Sequence, residues 1–179
     1  MPLDHLWATW RSNYVTGVVD TRADDDGSTA GERRTLFERV LAAPGSDADK
    51  HLLHRGDTCF VLLNKFPYSS GHLLVLPNRG VANLEDLTAD EHTELWSLVT
   101  RSVVALKAAF RCDAVNVGIN LGAAAGGSQS DHLHVHCVPR WTGDANFIGV
   151  AAETRVLPVS LDEALGRLAA VWDPGVGPA

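Results

Sequence analysis

Only three cysteines occur in the 179 residues, Cys59, Cys112 and Cys137, and no two stand at the short spacing of a metal knuckle or redox pair. So odd and scattered a set excludes a disulfide-built scaffold and fits a reducing compartment. Positive charge is scarce too: 15 Lys plus Arg against 22 Asp plus Glu leave a formal charge of -7. A bulk electrostatic grip on nucleic acid or an anionic membrane is thereby excluded, and an anionic ligand has to be held in a local pocket. No apolar run approaches the roughly 18 residues of a membrane span. The start, Met1-Pro-Leu-Asp-His5, has neither the basic residues nor the apolar stretch of a secretory leader. The expectation is a soluble, cytoplasmic chain. Aromatics make up 7% of it, yet 45% of positions are hydrophobic, enough for the core of one ordinary domain without a structural metal.

Internal repeats and a second-domain linker are also missing, and the chain divides by composition into three stretches. Residues 1–31 carry Trp7, Trp10 and Tyr14 and then an acidic, aperiodic run from Thr21 to Gly31 that reads as a loop. A central domain occupies 32–158, and 159–179 form a closing helix and tail. Within the domain, Leu36, Phe37, Val40 and Leu41 make a helical stripe over Glu32 to Ala43, stopped by Pro44-Gly45. Cys59 to Leu63 and His72 to Leu76 read as a strand pair joined by a wide loop. Thr88-Ala-Asp-Glu91 is a capping box ahead of the stripe Leu95, Leu98, Val99, Val103, Leu106, Phe110, which predicts one long helix. Ala114 to Leu121 and His132 to Val138 alternate with period two. A strand is expected at Thr154 to Leu157 and a helix from about Ser160 to Trp172.

The chemistry concentrates in Asp131-His-Leu-His-Val-His-Cys-Val-Pro-Arg-Trp141. At strand period His132, His134 and His136 project from one face, with Leu133, Val135 and Cys137 toward the core. Imidazoles so crowded either bind a metal or surround an anionic reaction centre, one as nucleophile and the others stabilising charge. Just upstream, Asn120-Leu-Gly-Ala-Ala-Ala-Gly-Gly-Ser-Gln-Ser130 offers backbone N–H groups with few side chains in the way, a cradle for phosphate. That pairing favours phosphorus chemistry over a metal.

These segments, with Leu63-Asn-Lys-Phe-Pro-Tyr-Ser-Ser-Gly-His-Leu-Leu-Val-Leu-Pro77, Asn116-Val-Gly-Ile-Asn-Leu-Gly122 and Trp141-Thr-Gly-Asp-Ala-Asn-Phe147, resemble bacterial members of the histidine triad family. The resemblance implies an α+β fold, a five-stranded antiparallel sheet with one long helix and a C-terminal helix, paired into a homodimer. It implies an enzyme that attacks the α-phosphate of dinucleoside polyphosphates, diadenosine tetraphosphate foremost, through a nucleotidyl-histidine at His134 that water or orthophosphate then cleaves. By the same resemblance His132 and His136 line the pocket and His72 is a fourth histidine on a preceding strand. Asn64 meets the ribose, and Asn120, Gly126, Gly127, Ser128 and Gln129 hold phosphates and nucleophile. The alternative for Asn64 and Asn120 is plain strand-end capping. His5, His51, His54 and His92 read as surface residues, as do Lys65, Arg79 and Arg140, although those cations have the charge to meet phosphates.

Two departures stand out. Many relatives carry Cys-x-x-Cys where this chain has Thr35-Leu-Phe-Glu38, so the resemblance implies that a structural zinc site has lost its soft ligands, with His51 or His54 as former partners at most. No cofactor is then required, magnesium at most assisting the polyphosphate. Ser128 also precedes Gln129 where many relatives place the glutamine directly after glycine, which bears on the leaving group. Two other readings of the triplet are a nucleotide-binding sensor with little turnover and a metal-dependent hydrolase.

Overall fold

The computed structural model describes residues 34–126, 129–144 and 157–172. The N-terminal aromatic segment, the acidic loop, Gly127, Ser128 and most of the strand expected at Thr154 to Leu157 lie outside them.

Five strands, β1 (Leu52–Arg55), β2 (Cys59–Leu63), β3 (Leu73–Pro77), β4 (Ala114–Ile119) and β5 (Val135–Arg140), form one sheet in the order β1-β2-β3-β5-β4, with every pairing antiparallel. The central strands β2 and β3 are buried at every position, because both faces are covered. One face packs Cys59, Val61, Leu63, Leu73 and Val75 into the main core. The other turns Phe60, Leu62, Leu74 and Leu76 toward Phe37. Phe37 belongs to helix α1 (Leu36–Ala42), which begins later than the stripe from Glu32 suggested because Thr35 caps it there. The expected pair of strands forms, with Val61 opposite Val75.

One strand was not foreseen and another is displaced. β1 is the first: four residues at a sheet edge give too short an alternation to stand out. The histidine strand is the second. Its ladder starts at Val135 and runs on through Pro139 to Arg140, so His132 and His134 precede it in irregular backbone. Pro139, having no N–H, is tolerated because the ladder to β3 ends at Cys137 and only β4 lies alongside it.

Helix α2 (Ala89–Phe110) is the long helix foreseen, with both halves of its Thr88/Glu91 capping box formed. It buries Leu95, Leu98 and Leu106 against the sheet. Glu94, on the same helix, does something its sequence position did not suggest. Its carboxylate accepts the backbone N–H groups of Asp57, Thr58 and Cys59 at 2.9, 2.6 and 3.0 Å and the Thr58 hydroxyl at 2.5 Å, tying the β1–β2 turn to α2. Helix α3 (Leu161–Ala169), capped by Ser160, adds Ala164 and Leu168 to the same core. Among the described residues no helix is long and apolar enough to cross a membrane. All three cysteines are free and buried, and burial pushes the Cys59 and Cys137 thiols up to about 11 and about 12, which keeps them protonated and unreactive.

Candidate active site

Leu133 anchors the triplet. It is 2% exposed, and its N–H meets the Val81 carbonyl at 2.6 Å, so the inward alternation of Leu133, Val135 and Cys137 holds even where the ladder has not begun. His134 and His136 lie together, ring centroids 4.9 Å apart. Phe37 of α1 sits 5.4 Å from the His132 ring and 5.5 Å from that of His134, and Tyr68 stacks on His136 at 5.7 Å. The row of imidazoles thus lies between two aromatic walls.

The partner of each ring sets its tautomer. His134 Nδ1 is 2.8 Å from the His132 carbonyl, which only accepts, so the proton is on Nδ1 and Nε2 keeps its lone pair. At His136 the polarity is reversed. The Tyr68 N–H donates to His72 Nδ1 at 3.1 Å, which leaves the His72 proton on Nε2 to be donated to His136 Nδ1 at 3.0 Å. His136 therefore carries its own proton on Nε2, and that buried atom has no partner among the described residues. Two neighbouring rings thus present a nucleophilic nitrogen and a hydrogen-bond donor. Burial depresses the proton affinity of His134, and burial followed by the His134 charge brings His136 down to about 4, so both are neutral near pH 7. A neutral imidazole attacks without first losing a proton.

This neutrality has a measurable consequence. The unfolded chain takes up protons on His136 near an ordinary 6.5, the folded one only near about 4. Between those values the unfolded state binds more protons, so stability rises with pH and is lost on acidification. The urea midpoint at about pH 5.5 is expected below that at about pH 7.5, and His136→Asn is expected to shrink the difference. Equal midpoints in the wild-type protein would contradict the neutral assignment.

Beside His136 opens a cleft of about 330 Å³ lined by Tyr68, Asn116, Gly118, Asn120 and Arg140. Gly118 pairs with His136 across the sheet and, lacking a side chain, leaves space next to that ring. The structure thus brings His132, His134, His136, His72 and, along the cleft wall, Asn120 into one region. Asn64 joins them by bracing His72: its Nδ2 lies 3.3 Å from His72 Nδ1 while its Oδ1 accepts the Phe66 N–H at 3.0 Å. Gly71 makes the turn into His72 at φ +88, where a Cβ would also come within 2.5 Å of the Phe110 ring. Gly126 ends a short turn at Ala123–Ala125 in the left-handed region, and Gln129 follows, half-buried. Of the three cations with charge for phosphates, Arg79 is paired with Glu91 and Arg140 with Asp144, while Lys65 lies over the Phe66 ring.

The Thr35-x-x-Glu38 segment is not a metal pair. Thr35 Oγ1 is 2.6 Å from His132 Nδ1. Glu38 spends its oxygens on the Thr35 N–H at 2.7 Å and the Gly80 N–H at 2.8 Å. A hydroxyl engaged with His132 and a carboxylate committed to two backbone N–H groups do not fit zinc. The histidine facing this segment is His132. His51 pairs with Asp162 and His54 lies beside Trp172. Thr35, Phe37 and Tyr68 were missed from sequence. The Thr35/Glu38 capping box was legible as such; its hold on a histidine far along the chain was not.

A five-stranded antiparallel sheet with four histidines gathered around its β3–β5 seam is the arrangement of a known class. The HIT domain signature matches residues 46–143, and the chain belongs to the HIT, or histidine triad, family. It is similar to the AP-4-A phosphorylase of Mycobacterium tuberculosis strain H37Rv, 38% identical over 170 residues that cover 95% of this chain and 85% of that protein. The asymmetrical bis(5'-nucleosyl)-tetraphosphatase of Schizosaccharomyces pombe is 32% identical over 124 residues, 69% of this chain and 64% of that one. Among solved structures, a zinc-bound histidine triad family protein from Mycobacterium smegmatis has the same fold, with TM-score 0.62 and 24% identity over 76% of this chain and 91% of that chain.

Proposed function

We propose that this protein transfers a nucleotidyl group from a dinucleoside polyphosphate, diadenosine tetraphosphate in particular, through a covalent intermediate on His134. His134 Nε2 attacks the α-phosphorus, the bond to the bridging oxygen breaks, and ATP leaves. The adenylyl-histidine is then cleaved by orthophosphate to give ADP, or by water to give AMP. The carrying observation is the opposed polarity of His134 and His136: a lone pair next to an unpartnered N–H donor suits a phosphorus centre whose oxygens gather charge. The similarity to an AP-4-A phosphorylase over 95% of the chain favours orthophosphate as acceptor. No cofactor enters the scheme; magnesium assists only by binding the polyphosphate. Val117 on edge strand β4 and Leu121 just beyond it, both 42% exposed, suit a second copy of the chain, and a homodimer is part of the proposal.

Incubating the protein with diadenosine tetraphosphate, with and without orthophosphate, tests this reading. ADP plus ATP in phosphate is the expected result. AMP plus ATP in both conditions would make it a hydrolase, and an untouched substrate would overturn the proposal.

A further inference from the structure

The start of α1 performs two tasks with one hydroxyl. As N-cap, Thr35 Oγ1 accepts the Glu38 N–H at 3.3 Å, and it also lies 2.6 Å from His132 Nδ1. His132 Nε2 faces the Pro77 carbonyl at 2.9 Å. That carbonyl only accepts, so the ring proton is on Nε2 and Nδ1 receives the threonine proton. A hydroxyl has one proton and two lone pairs, so capping and donating do not compete. His132, 1% exposed, is thereby pinned at both nitrogens, and its own backbone carbonyl is the group that takes the His134 Nδ1 proton at 2.8 Å. Around this chain of bonds the packing is close. Phe37 leans on both rings, and Glu38 holds the Gly80 N–H. A Cβ at Gly80 would come within 2.5 Å of the Thr35 methyl, so only glycine lets the two segments approach this far.

We propose that Thr35 is a positioning residue for the nucleophile. Its hydroxyl holds the His132 ring, and with it the backbone of residue 132, in the orientation in which the carbonyl takes the His134 proton and leaves Nε2 free to attack. It acts through His132 and does not touch substrate. The catalytic consequence rests on the function proposed above; the effect on the tautomer does not.

Three variants separate the tasks. Thr35→Ser keeps the hydroxyl. Thr35→Asp keeps a capping oxygen but has no proton to donate at neutral pH, and Thr35→Val has neither. The measurements are kcat and KM on diadenosine tetraphosphate, the melting temperature, and the His134 tautomer from two-bond nitrogen–proton couplings of its ring. Thr35→Ser is expected within about threefold of wild type. Thr35→Val and Thr35→Asp should each lose about 10- to 100-fold in kcat, the usual consequence of freeing a supporting hydrogen bond behind a working histidine, with KM changed less than about threefold. In both, the His134 signal should shift from Nδ1–H toward a mixture containing Nε2–H, while Thr35→Asp melts close to wild type. A pure Nδ1–H signal in Thr35→Val and Thr35→Asp overturns the proposal whatever happens to kcat, and so does a loss in Thr35→Ser as large as in Thr35→Val. If even the wild-type protein fails to turn over while the tautomer moves as stated, the nucleotidyl-transfer reading falls and the positioning role stands.

Discussion

Replacing His134 by alanine is expected to lower single-turnover cleavage of diadenosine tetraphosphate by about four orders of magnitude or more while leaving nucleotide binding within about tenfold of wild type. The size follows from the proposed mechanism: the atom assigned there to form the covalent bond is gone, and groups that act as a unit with it cannot take over. Binding survives because the cleft lined by Tyr68, Asn116, Asn120 and Arg140 does not include that ring. His134 is recessed, at 7% exposure, so its truncation leaves a small hole beneath the substrate and does not remove a wall. Rapid-quench assays and equilibrium dialysis give the two quantities separately. Turnover by His134→Ala at a rate near wild type would remove the nucleophile from the scheme.

The second large effect concerns stability. Glu94→Ala is expected to cost about 3 kcal/mol, because three backbone N–H groups and one hydroxyl of the β1–β2 turn lose their acceptor together, at about 1–3 kcal/mol for each such group that water cannot reach. The half-buried carboxylate is itself held ionised: burial pushes its proton affinity up, but the bonds from Thr58, Asp57 and Cys59 outweigh burial and bring it below the ordinary carboxylate range. In a chain of this size about 3 kcal/mol lowers Tm by roughly 6–12 °C. Glu94→Gln keeps one acceptor oxygen and should fall between alanine and wild type. A change of less than about 2 °C in Glu94→Ala would mean that the turn is satisfied by solvent.

Much of the fold was legible because it is locally encoded. The Thr88/Glu91 capping box states where α2 begins, the apolar runs of β2 and β3 need only each other to pair, and Leu133, Val135 and Cys137 turn inward as their spacing requires. β1 was not legible, being an edge strand of four residues with its alternation cut short. Nor were the roles of Thr35 and Tyr68. Each is an ordinary residue in its own neighbourhood, one a helix cap and one a loop aromatic, and neither carries a mark of the histidine it serves.

The sequence by itself determined that three imidazoles would crowd one short segment and that strands and one long helix would carry them, since both follow from residue order and period. What each imidazole does was decided only by the folded chain. His132 donates its ring proton to the Pro77 carbonyl and accepts one from the Thr35 hydroxyl, 55 and 97 residues away, and His136 accepts one from His72, 64 residues away. A histidine ring is a donor at one nitrogen and an acceptor at the other according to what faces it, and what faces it here comes from remote parts of the chain. The same three residues in another fold would present different nitrogens.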